Sequence, residues 1–153
     1  MKRTVFMMAL ALGLGCGDDS LTGDGQVALS FTVDEAVRVN FRDELVGDIV
    51  GQVYRAADLD FVGGSVVSAP DASAAVADVF VSDADFREVD TLEDAALVEN
   101  LPTGEYSFLG ALDVDGNGND LGDPVTFSMQ RSFAIEGTET VGFEVIFNGI
   151  QPF

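Results

Sequence analysis

Histidine and tryptophan are absent from this chain, and cysteine and lysine occur once each, as Cys16 and Lys2. Without histidine there can be no Ser-His-Asp triad, no Cys-His pair and no zinc site of the usual imidazole type. A single cysteine cannot form a disulfide within the chain. Positive charge is the next shortage: seven Lys and Arg stand against 27 Asp and Glu, a formal net charge of −20. Beyond residue 15 the only bases are Arg38, Arg42, Arg55, Arg87 and Arg131. Nucleic-acid binding needs a basic footprint, so a nucleic-acid partner is excluded, and anionic headgroups are repelled as well. Long apolar runs are missing too; the longest, residues 5–14, falls short of the roughly 20 residues that cross a bilayer as a helix. Carboxylate pairs can hydrolyse glycosides, but no pair stands out from the acidic background. The expectation is a protein that is not an enzyme.

What is present begins with an address. Lys2 and Arg3 open the chain, an apolar run follows, and Gly13, Leu14 and Gly15 lead to Cys16. This basic, apolar and small-residue order is that of a secretory signal. Ending on the sole cysteine, it resembles the lipobox of bacterial lipoproteins, with Gly13 where that motif commonly has Leu. The resemblance implies cleavage after residue 15 and a lipid on Cys16 that holds the protein at a membrane. Gly17 follows the cysteine, and by the same resemblance an outer-membrane position in the cell envelope is favoured. Residues 16–26 then read as the lipidated cysteine and a polar tether, and residues 27–153 as one domain.

That domain has enough apolar material for a core. The chain is 47% hydrophobic with twelve Phe, which argues against an acidic disordered coil. Solubility and a salty medium together explain the bulk of the charge surplus as well as a cation-binding role does. Its dominant period is two. Val27, Leu29, Phe31 and Val33 alternate with smaller or polar residues, and after Asp34-Glu35 the alternation resumes at Val37, Val39 and Phe41. This predicts a bent strand or two strands over 27–41. Residues 46–55 predict another, with Gly47 and Gly51 marking a bulge or a close backbone approach. A loop is expected around Gly63-Gly64 and another at 69–71. Residues 74–82 read as a strand, 83–94 as an acidic surface loop and 95–101 as a strand ending at Pro102. Tyr106, Phe108, Gly110, Leu112 and Val114 form one face of the next strand. Val125, Phe127, Met129, Arg131, Phe133 and Ile135 share a face of another, and Val141, Phe143, Val145 and Phe147 line the last. Seven or eight short strands without a helix predict an all-β chain, an antiparallel β-sandwich of immunoglobulin-like or transthyretin-like kind.

The run GDIVGQVY at 47–54, followed by LPTGEY at 101–106, resembles the G-x-I-x-G-x-V-Y and L-P-x-G-x-Y strands of transthyretin-like, or carboxypeptidase-regulatory-like, sandwiches of bacterial surface proteins. A D-x-D-x-N-G run and a Gly-Asp-Pro follow here as they often do there. The resemblance covers about residues 46–147, and it implies a binding, spacer or adhesive module.

Asp113, Asp115, Asn117, Asn119, Asp120 and Asp123 crowd the loop after the central strand. Alternate oxygen-bearing residues with a Gly at the bend are what a calcium loop needs. Asp113, Asp115, Asn117 and Gly118 match the first, third, fifth and sixth places of the EF-hand pattern, and Asn119 would offer its carbonyl at the seventh. The match stops there, since Pro124 occupies the place of the closing Glu. Asp120 or Asp123 must close the shell, and the sequence leaves both open. The competing reading is a solvated turn, because Asp, Asn and Gly also form turns on their own account. The expectation is a structural calcium ion in a non-catalytic, lipid-anchored module with a protein or glycan partner. The alternative is an accessory lipoprotein of an envelope assembly with no ligand of its own.

Overall fold

The computed structural model describes residues 23–41, 44–62, 65–68, 74–118, 122–126 and 132–150. Along the chain come β1 (Gly25–Val33), α1 (Glu35–Phe41), β2 (Val46–Arg55), β3 (Asp60–Val62), β4 (Ser65–Ser68) and β5 (Ala77–Asp85). Then follow β6 (Thr91–Leu101), β7 (Gly104–Asp113), β8 (Pro124–Val125), β9 (Phe133–Ile135), β10 (Thr140–Phe147) and β11 (Gly149–Ile150). A three-stranded sheet has the order β10-β1-β6, and a six-stranded sheet the order β11-β8-β7-β2-β5 with β9 also on β7. Among the described residues β3 and β4 pair with each other alone, antiparallel. The fold is all-β, as the alternation predicted.

β1 shows why the sheets face each other. Val27, Leu29, Phe31 and Val33 are buried, while the residues between them are half-buried. Across the sandwich-like interior the Phe31 ring meets Phe108 of β7 edge-on at 5.6 Å, and within its own sheet it stacks on Phe147 of β10 at 6.0 Å. Phe133 lies between Tyr106 and Phe143 at 5.8 and 4.8 Å. Such pairs add roughly 0.5–1.5 kcal/mol each beyond the burial of their area. At the β6–β7 turn the Tyr106 hydroxyl donates to the Pro102 carbonyl at 2.7 Å, fixing the entry to β7.

Four expectations change. First, the sheets are mixed: β1 runs parallel to β10 over eight residue pairs, from Gln26 with Thr140 to Val33 with Phe147. A parallel pair needs a long crossover, and the strands between β1 and β10 supply it. Second, residues 35–41 are helix. Asp34 caps it, its Oδ1 accepting from the Ala36 N–H at 2.9 Å. Val37 is buried and Phe41 packs on the core four residues on, whereas Val39 between them is 61% exposed. The period-two appearance of Val37, Val39 and Phe41 hid this i, i+4 pair. Arg38 ties the helix to the loop before β6, donating to the carbonyls of Phe86 and Val89 at 2.8 and 2.9 Å and pairing with Asp90 at 3.0 Å.

Third, the acidic stretch 83–94 is mostly strand. β5 runs to Asp85 and β6 starts at Thr91. Asp83 and Asp94 have φ of 53° and 47°, and both lie where the ladder register shifts. They are bulge residues, and Asp tolerates that backbone better than most. Fourth, the strand predicted over 125–135 pairs with β7 at both of its described ends, in two different registers. Val125 pairs with Ala111 and Phe133 with Tyr106, a register offset of three residues. An odd offset puts Val125 and Phe133 on opposite faces of the sheet rather than the same one. Phe127, Met129 and Arg131 lie outside the described residues, as do residues 69–71 and the N-terminal stretch, with Cys16, expected to be a signal segment.

The glycine expectation in β2 holds. A Cβ on Gly51 would overlap the Phe108 ring, and the register shifts between Gly47 and Ile49.

Candidate metal centre

Three elements converge at one end of the six-stranded sheet. β7 ends at Asp113, the loop turns through Val114 to Gly118, and the chain re-enters the sheet at β8 just after Asp123. The pairing of Val125 with Ala111 brings Asp123 back beside the end of β7. Thr126 reinforces that return, its N–H donating to the Gly110 carbonyl and its hydroxyl oxygen accepting from the Gly110 N–H, both at 3.0 Å. Asp113, Asp115 and Asp123 each present one carboxylate oxygen, and these lie within 4.8 Å of one another. Asp113 is 8% exposed and Asp123 2%, while Asp115 faces solvent.

The loop is folded around its own carboxylates. Asp113 accepts the Gly116 N–H on Oδ1 at 2.8 Å and the Gly118 N–H on Oδ2 at 3.0 Å. Gly116 and Gly118 have φ of 74° and 99°, a left-handed backbone that suits glycine. Asp115 accepts from Asn117 through both the backbone and the side-chain amide, at 3.2 and 2.7 Å. Asp123 accepts the Val114 N–H at 3.3 Å. On the other side β2 presses close: a Cβ on Gly47 would overlap the Asp113 carbonyl oxygen.

Of the six residues expected in the shell, the structure gathers Asp113, Asp115 and Asp123. Asn117 is in the same loop, bonded to Asp115. Asn119 and Asp120 lie outside the described residues. One further carboxylate escaped the sequence reading. Asp48 is the direct cross-strand partner of Asp113, with its Oδ1 accepting the bulged Asp83 N–H at 3.0 Å. Only the β2–β7 register reveals that neighbour.

The donors are all oxygen, the set that hard cations take. Two oxygens on opposite sides of a calcium ion are at most about 5 Å apart, because each sits 2.3 to 2.6 Å from it. Three oxygens within 4.8 Å therefore fit around one such ion. Among the described residues no helix is long and apolar enough to cross a membrane. Compared with protein-family models, curated proteins and solved structures, the chain has no significant match.

Proposed function

We propose that this is an exported, lipid-anchored, non-catalytic envelope domain of transthyretin-like type, stabilised by calcium at residues 113–123 and acting as a binding or adhesion module. The observation that carries the calcium reading is the triad of Asp113, Asp115 and Asp123, two of them buried, with oxygens within 4.8 Å. Buried carboxylates this close repel unless a cation lies between them. Asn117, Asn119 and Asp120 are the remaining loop residues with oxygens to offer.

The address rests on the N-terminal pattern that ends at Cys16. An outer-membrane position follows from Gly17 by resemblance. Several acyl chains at about 0.8 kcal/mol per buried methylene anchor a domain without help from its surface. The binding role rests on the sandwich-like fold and on its resemblance at 47–54 and 101–106. Two measurements test the reading. Calorimetric titration should show one calcium bound per chain, and its absence removes the metal. In a bacterial host, Cys16→Ser should abolish labelling by radioactive palmitate and release the chain from the membrane fraction. Unchanged labelling would refute the anchor.

A further inference from the structure

β5 ends the six-stranded sheet, and among the described residues its backbone ladder runs to β2 alone. Free edges are normally blunted with charge or a bulge, because their unpaired N–H and C=O groups recruit other strands. This edge carries the charge and the bulge, at Asp78 and Asp83, yet between them it displays Phe80 at 55% exposure. Phe80 does not stand alone. Its cross-strand partner is Val50, 38% exposed, and the row continues in register to Ala111 and then Val125. The apolar row is covered at Ala111 and open at the edge.

We propose that the β5 edge is a docking strand for an extended, cationic segment of another protein, which adds to the sheet and places an apolar side chain beside Phe80. Charge selects the occupant. A second copy of this chain brings a net charge of −20 to an edge that already bears Asp78 and Asp83, so self-pairing is opposed. A segment with Lys or Arg opposite those carboxylates meets the opposite sign. Backbone pairing supplies affinity, and the alternating pattern of basic and apolar residues supplies selectivity. Asp85 contributes less to this field, because Arg87 already engages it at 2.6 Å. The inference rests on the reading of the domain as a binding module and is independent of the calcium site.

The test uses isotope-labelled whole chain and a synthetic peptide alternating Lys and Val with a central Phe, followed by nuclear magnetic resonance at low salt. The expected result is protection and shift changes of β5 amides, saturating with the peptide. Binding should weaken about tenfold with Phe80→Ser, an exposed site whose change leaves the core intact. It should also vanish when the peptide carries N-methyl groups on the edge-facing amides. No binding at millimolar peptide would overturn the proposal. So would binding that N-methylation or Phe80→Ser leaves undiminished, which would show charge attraction alone. Dimerisation through β5 without peptide would also overturn it, in favour of a second copy. Each failure leaves the calcium response untouched, so the two readings separate.

Discussion

Calcium removal is the perturbation with the clearest arithmetic. Asp113 and Asp123 are buried, and their nearest oxygens lie within 4.8 Å. At an effective dielectric of about 20, two unit charges at that separation repel by roughly 3 kcal/mol. A bound cation turns this cost into attraction. The net gain is set by affinity, and extracellular calcium modules have dissociation constants of about 10⁻⁴ to 10⁻³ M. At about 1 mM calcium the linkage relation then gives roughly 0.4 to 1.4 kcal/mol of stabilisation. For a domain of this size that is a rise in Tm of about 1 to 6 °C.

The assay is thermal melting followed by circular dichroism, in about 1 mM calcium and again with a chelator. Wild-type protein should melt higher with calcium. In Asp113→Ala with Asp115→Ala the difference should disappear. The baseline of that variant will fall as well, because Asp113 holds the Gly116 and Gly118 amides. The informative quantity is therefore the calcium increment. Asp115→Asn leaves the buried pair in place and should keep only part of it. Equal melting of the wild type in both buffers would refute the site. An increment that persists in the double variant would place the ion elsewhere on the acidic surface.

Two further outcomes follow from the geometry. Gly47→Ala puts a Cβ into the Asp113 carbonyl, so it should cost about 1–3 kcal/mol in urea denaturation and lower calcium affinity with it. At Asp85, the Arg87 side chain donates to both carboxylate oxygens, the Arg87 backbone adds a third bond, and the carboxyl pKa falls from 3.8 to about 2. A depressed pKa stabilises the fold above about 3.8, and this contribution is lost as pH falls through about 2. The pair is exposed, so it is worth less than about 1 kcal/mol. Carbon-detected titration should find the Asp85 midpoint near 2, and Arg87→Ala should return it towards 3.8. An unmoved midpoint would refute the pairing.

The strands that were legible are those where burial alternates without interruption. In β1 and β10 the apolar residues fall on one face because nothing breaks the pleat. Legibility failed where a second rule imitated or masked the first. Val37, Val39 and Phe41 alternate as a strand would, yet Val37 and Phe41 are also one helical turn apart, and Asp34 decides the matter by capping. Asp83 and Asp94 look like loop residues because they are acidic and interrupt the pattern. They sit inside strands as bulges, a role fixed by pairing rather than by composition. In the site, Asp113 and Asp115 could be found from their own spacing. The nearness of Asp123 could not, since it depends on where β8 joins β7.

That join also decides what an ion at this place can do. β8 has two residues and a single ladder pair to β7, supplemented by Thr126 on Gly110. Among the described residues β11 in turn pairs with β8 alone, and the Asn148 N–H donates to the Val125 carbonyl at 3.2 Å. Among the described residues this corner is held by few backbone bonds, with like charges concentrated at its root. The centre of the core lies elsewhere, where the Phe31 ring packs on Phe108 and Phe147, and of the described residues in 113–123 Val114 is the apolar one that packs against it. A cation between Asp113 and Asp123 would bridge the last residue of β7 to the residue before β8. Such an ion would hold that corner of the sheet shut, and a gain near 1 kcal/mol is then the scale to expect rather than the several kcal/mol of a metal that drives folding.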